Sequence, residues 1–220
     1  MLDTLITFFK NEFVDLGLPS GVLWASCNLG AKKPHDYGSY FAWGETEEKS
    51  SFSFSNYKLC NGSMNTLTKY NNNSSYGTVD NLTTLELIDD AAHHFDNSCR
   101  IPTIADVEEL FANTTITTSR INDHVVYILT SKLNNNSITI PASGEDNSGN
   151  HRNYYSFVWT NSIDNNDPRK SYYLSLGETL VGYIYSAYRC RGYSIRAVKD
   201  KCYTKPEIDS LITSTLNTEV

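Results

Sequence analysis

The chain has 220 residues, 40% of them apolar and 20% charged, with 18 basic and 25 acidic side chains for a net charge of −7. A packed core is feasible and wholesale disorder is excluded. No stretch approaches the ~20 apolar residues of a membrane helix, and the basic footprint of a nucleic-acid binder is missing. Residues 1–13 form a short leader in which Leu2, Leu5, Ile6, Phe8, Phe9 and Phe13 are apolar. It has no basic n-region, carries Asp3 inside the apolar run and lacks a small-residue cleavage site, so it does not read as a signal peptide. A role outside the cell then implies another exit route, such as lysis.

The globular body is expected over 14–199 and a helix over 200–220. Two apolar runs, Val22-Leu-Trp-Ala-Ser26 and Gly38-Ser-Tyr-Phe-Ala-Trp43, are punctuated by Gly, Pro and Asn as strands are. Residues 46–82, rich in Ser, Asn and Tyr, predict a long surface excursion outside the core. Over 85–95 a helix is expected, with Ile88, Ala91, Ala92 and Phe95 as one buried stripe. A second helix opens at Arg100-Ile-Pro-Thr103. Thr103 caps it, Asp106 answers an orphan amide, Val107, Leu110 and Phe111 supply the apolar face, and Asn113 ends it. Candidate strands follow at 125–130, 137–141, 156–160, 171–176, 180–185 and 193–198. Two early helices, then many short strands and polar loops, predict an α+β domain. Trp24, Trp43 and Trp159 all lie in apolar runs and are expected to be buried.

Charge and tyrosine are unevenly distributed. Residues 1–150 hold 9 basic and 18 acidic groups, 151–200 hold 7 and 4, and nine of the fifteen tyrosines lie from Tyr154 to Tyr203. The acidic part reads as a solubilising scaffold and the Tyr-rich, mildly basic part as something different in purpose. Five cysteines, Cys27, Cys60, Cys99, Cys190 and Cys202, show no C-x-x-C. An odd count without paired spacing points to buried, reduced thiols rather than a disulfide framework or a zinc site.

Several stretches resemble a known family. Val14-Asp-Leu-Gly-Leu-Pro-Ser-Gly-Val-Leu-Trp-Ala-Ser-Cys-Asn-Leu-Gly-Ala31 and Asp36-Tyr-Gly-Ser-Tyr-Phe-Ala-Trp-Gly-Glu45 resemble the opening of paralogous surface domains from Bacteroidetes and Fibrobacter. Arg100-Ile-Pro-Thr103, Ile138-Thr-Ile-Pro-Ala-Ser-Gly144, the stretch 155–161 and Tyr193-Ser-Ile-Arg-Ala-Val198 resemble its later landmarks in order, over about 14–199. The resemblance implies a C-type-lectin-like fold, related to formylglycine-generating enzymes and to phage receptor-binding proteins. Tyr203-Thr-Lys-Pro-Glu-Ile-Asp-Ser-Leu-Ile212 resembles segments of phage fibre proteins, often found where a chain joins a trimeric stalk. There Thr204 and Glu207 make a capping box, and Ile208, Leu211, Ile212 and Leu216 form an apolar stripe that needs a partner.

The chemistry of the residues points to binding. His93-His94 are adjacent on the expected helix and diverge by ~100°, too far to chelate one metal well. The oxygen-rich loops 144–150 and 161–167 offer Asp146, Asp164 and Asp167 as weak calcium candidates, without EF-hand order or a lectin-type Glu-Pro-Asn motif. No other cofactor is indicated. No nucleophile elbow, phosphate loop, dinucleotide fingerprint or zincin motif is present. Cys190 and Cys202 do not match the copper-binding spacing of formylglycine-generating enzymes, so the expectation is a non-enzyme. Tyr183-Ile-Tyr-Ser-Ala-Tyr-Arg-Cys-Arg-Gly-Tyr193 interleaves Tyr and Arg as paratopes do. Tyr183, Tyr185, Tyr188, Arg189 and Arg191 are the candidate ligand-binding residues, with Tyr185 and Tyr193 the tyrosines most expected to line the core.

The function expected is that of a phage virion fibre or tip protein, made in the host cytoplasm and carried in the virion. It would bind a host-surface glycan or protein receptor, contact other virion proteins and trimerise through its C-terminal helix, without nucleic acid or membrane insertion. The alternatives are a purely structural capsid-decoration or fibre-joining protein, and a bacterial cell-surface adhesin on the extracellular surface.

Overall fold

The computed structural model describes residues 12–146 and 151–201. The leader through residue 11, Cys202 and the expected stripe Ile208, Leu211, Ile212 and Leu216 lie outside the described residues. In chain order the elements are β1 Phe13–Asp15, β2 Leu23–Ala25, α1 Ala91–Phe95, α2 Ile104–Asn113, β3 Thr114–Ile121, β4 His124–Ser131, β5 Ser137–Pro141, β6 Ser156–Asp164, β7 Asp167–Leu176, β8 Tyr183–Tyr188 and β9 Val198–Lys199. They form three antiparallel three-stranded sheets, ordered β1-β2-β9, β3-β4-β5 and β6-β7-β8. Among the described residues strand makes up 34% and helix, 3-10 turns included, 13%, with two α-helices. The expected α+β class, with its C-type-lectin-like layout, is therefore corrected to a mostly β architecture.

The correction has two local causes. The helix expected over 85–95 survives only as the five residues of α1, preceded by a 3-10 turn at Leu87–Asp89. Asp90 interrupts it. Its buried carboxylate accepts the amide N–H of His93 at 3.1 Å and that of Ile101 at 2.8 Å, which makes it a cap instead of a mid-helix residue. Ala91 and Ala92 are buried, but Ile88 is 78% exposed and Phe95 39%, so the expected stripe is only half present. The second cause is β3, a strand that was not expected. Its Thr-Thr-Ile-Thr-Thr-Ser-Arg-Ile sequence shows little apolar alternation, yet it pairs along its full length with β4. The connecting Asn122 and Asp123 both have positive φ, 47° and 65°, as a two-residue hairpin turn demands.

Helix α2 forms as its sequence predicts. The Thr103 hydroxyl accepts the Asp106 N–H at 3.0 Å, and Asp106 accepts the Thr103 N–H at 2.7 Å, a reciprocal capping box. Val107 and Leu110 enter a core shared with Trp24, Leu129, Ile140, Val158 and Leu174. A second core gathers Phe41, Trp43, Trp159, Tyr193 and Ile195. All three tryptophans are at most 1% exposed, as expected, and Cys27, Cys60, Cys99 and Cys190 are free and buried.

The segment 46–82 is not the mere surface excursion that its composition suggested. Tyr57, Leu67 and Tyr70 are buried, and Tyr57 and Leu67 form a third core with Ala42, Cys60 and Cys190. Side chains replace the missing ladders. The Asp80 carboxylate accepts the N–H groups of Tyr70, Asn71 and Leu82 at 2.8–3.1 Å. Gly77, at φ 126°, lets the chain pass Leu67 so closely that a Cβ would lie 2.2 Å from the Leu67 carbonyl oxygen.

The expected strand 193–198 is not continuous. This segment instead threads between sheets, bridging Phe41 through Tyr193, Val158 through Ser194 and Arg100 through Val198. The Arg196 guanidinium is fully buried and donates to Asn28 Oδ1 at 3.0 Å and to the Ala25 and Thr139 carbonyls at 2.9 Å.

Candidate functional site

Strand β8 is an outer strand of its sheet, pairing among the described residues with β7. Alternate residues of a strand share a face, and here Tyr183 and Tyr185 do so in the open. They are 42% and 50% exposed, their rings stacked at 5.5 Å and 21°. Tyr185, expected in the core, is the more exposed of the two. Tyr193, the other tyrosine expected there, is buried.

Register carries this aromatic surface inward. Tyr185 lies opposite Tyr173 on β7, with ring centroids 6.3 Å apart. Tyr173 in turn meets Phe157 at 5.4 Å and Tyr193 at 4.9 Å. Phe157 stacks on Tyr155 at 5.9 Å and 8°, and His151 sits 5.9 Å from Phe157. A continuous band of rings thus runs from the open strand into a cleft of about 360 Å³ lined by His151, Phe157, Tyr173 and Tyr193. Burial pushes the Tyr173 and Tyr193 phenols above their ordinary value, so both stay neutral.

A charged pair stands at the mouth. Arg191 Nη1 donates to Glu145 Oε2, and the Glu145 side chain is 13% exposed against 47% for Arg191. Burial is the largest single influence and works against the Arg191 charge, but the Glu145 hydrogen bond and the Coulombic pull of Tyr193, Glu145 and Cys190 together raise its pKa above the ordinary value. Glu145, Tyr188 and Arg191 also line a second cleft of about 330 Å³, whose other walls include Phe52, Phe54 and Met64. Cys190 belongs to this wall as a protonated thiol, since burial raises its pKa to about 11.

The five residues singled out by the Tyr/Arg pattern therefore separate. Tyr183 and Tyr185 are open, and Tyr188 and Arg191 line the clefts. Arg189 is fully buried, which corrects its assignment to a ligand surface. It donates to the Lys69 and Tyr70 carbonyls and stacks over Trp43 and Tyr57 at 5.5 Å, fixing the 46–82 segment to the body. Sequence reasoning did not find Phe54, His151, Phe157 or Tyr173 as site residues, and noted Glu145 only as part of an oxygen-rich loop. The Tyr172-Tyr173 doublet on an alternating strand was the available sign.

The calcium candidates are already engaged in other ways. Asp164 accepts the Ser186 hydroxyl at 2.8 Å, and Asp167 binds Arg169 at 2.7 Å and Lys170 at 3.6 Å. Asp146 lies on the wall of the smaller cleft. Among the described residues no group of three or more His, Cys, Asp or Glu is placed to hold a metal ion. Among the same residues no helix is long and apolar enough to cross a membrane. Comparison with protein-family models, curated proteins and solved structures gives no match.

Proposed function

We propose that this chain is a receptor-binding virion protein, a phage fibre or tip component, that holds a host-surface glycan against the aromatic band. The observation that carries the proposal is the exposed, mutually stacked Tyr183–Tyr185 pair, continuous through Tyr173 with a cleft that ends at Arg191 and Glu145. Tyrosine rings present flat apolar area to the C–H face of a sugar at low entropic cost. A guanidinium and a carboxylate supply the donors and acceptors that its hydroxyls need. An apolar floor with a few convergent polar groups is the usual makeup of a ligand site.

The resemblance of 14–199 to Bacteroidetes and Fibrobacter surface domains, and of 203–212 to phage fibre segments, supports placing this site on a virion. Trimerisation through the tail belongs to the same proposal, and light scattering on the full chain and on one ending at Lys201 tests it. For the binding itself the experiment is a glycan array together with a host-cell pull-down, using wild type and Tyr183→Ala/Tyr185→Ala. Binding that the double variant loses supports the proposal. Failure to bind any glycan or cell, or binding that the variant retains in full, overturns it in favour of a structural virion component.

A further inference from the structure

Glu145, Tyr188 and Arg191 form a wall common to two clefts of similar size, about 330 and 360 Å³. Each cleft has its own aromatic side: Phe52 and Phe54 in one, Phe157 and Tyr173 in the other. A ligand that fills both must cross the Arg191–Glu145 pair. The charged linings of the two clefts are Glu145, Asp146, Lys170 and Arg191, two of each sign. They are also largely spent on their neighbours, Arg191 on Glu145 and Lys170 on Asp167 at 3.6 Å. Such a surface has no net charge to offer an anion, and an incoming carboxylate would have to displace Glu145 from Arg191.

From this we infer that the site takes a neutral, hydroxyl-rich chain of at least two sugar units, one in each cleft, with the linkage lying over the Arg191–Glu145 pair. The inference rests on the glycan reading above and extends it to charge and length. A hydroxyl both donates and accepts, so a carboxylate beside a guanidinium meets neighbouring hydroxyls of adjacent units without either ion being left unpaired. The aromatic side of each cleft supplies the matching floor for one ring.

The test is isothermal titration of the full chain with neutral gluco-, manno- and galacto-oligosaccharides of one to six units, and with oligogalacturonides as acidic counterparts. Affinity is expected to rise roughly tenfold or more between one unit and two or three, then level off. Ser53→Trp adds bulk at an exposed position lining only the smaller cleft. It should abolish the rise with length and leave single-unit binding in the larger cleft in place, with a wild-type circular-dichroism spectrum confirming that the variant folds. An affinity independent of length, equal weakening of short and long chains by Ser53→Trp, or tighter binding of oligogalacturonides than of neutral chains overturns the inference while leaving the glycan reading intact. Absence of binding to every sugar overturns both.

Discussion

Trp43 and Trp159 hold each other's chain segments: the Trp43 indole N–H donates to the Thr160 carbonyl at 2.8 Å, and that of Trp159 donates to the Phe41 carbonyl at 2.9 Å. The two rings are fully buried in one core, so each is both a hydrophobic anchor and a tie between stretches over a hundred residues apart. Trp43→Ala should cost ~3–5 kcal/mol in urea unfolding. Trp43→Phe keeps most of the ring but leaves the Thr160 carbonyl unpaired, and should cost ~1–3 kcal/mol. Iodide should leave native tryptophan fluorescence almost unquenched; ready quenching would show that the indoles are not enclosed.

Asp106 gives the fold an acid-sensitive point. Burial alone would raise its pKa, but hydrogen bonds from Arg100 and Thr103 hold it below the ordinary 3.8. A carboxyl with a depressed folded pKa stabilises the native state above its unfolded value, and that contribution is lost as the pH falls through the lower folded value. Asp106→Asn should therefore cost ~1–2 kcal/mol at neutral pH and flatten the loss of stability below about pH 4. Urea titrations from acid to neutral pH check this, and identical pH slopes in the two proteins would refute it.

Arg196 is charged in the interior, with the neutral acceptors Asn28 Oδ1, Ala25 O and Thr139 O and a pKa lowered by burial to about 10. Replacing it with Met leaves Asn28 Oδ1, the buried Ala25 carbonyl and the part-buried Thr139 carbonyl without this donor. Arg196→Met should cost ~3 kcal/mol or more and lower the melting temperature by roughly 5 °C or more. A melting temperature within a degree of wild type would show that water takes over those acceptors.

Tyr185 offers the reverse profile. Its ring is half exposed, so Tyr185→Ala should change stability by ~1 kcal/mol at most, mainly through the Tyr173 and Tyr183 contacts. The same change should weaken glycan binding by roughly tenfold or more. Equal losses of stability and binding would mean that the ring supports the sheet rather than a ligand.

What could be read from the sequence was local. The Thr103–Asp106 capping box and the short aromatic and apolar runs in 156–160 and 171–176 are encoded within a few residues, and α2, β6 and β7 appear where those signs stand. The helix expected over 85–95 failed because a distant amide, that of Ile101, claims the Asp90 carboxylate. The burial of 46–82 depends on Arg189, 119 residues from Tyr70, and no periodicity in the segment announces it. At the proposed site, the Tyr/Arg pattern pointed to strand β8 and the turn after it. It could not separate Arg189, turned inward to stack on Trp43 and Tyr57, from Arg191, turned outward to Glu145.

The inward course of 189–198 has a consequence for how the protein is made. Trp43 N–H donates to the Arg189 carbonyl, Leu29 N–H to that of Ile195 and Ala25 N–H to that of Ala197. The early third of the body therefore cannot complete its hydrogen bonds until residues 189–198 have left the ribosome. Pairings of such long sequence separation form slowly, and until then Trp24, Phe41 and Trp43 have no finished core to enter. A nascent chain halted before residue 189 should remain protease-sensitive along its length, and emergence of 189–198 should convert it to the resistant form in one step.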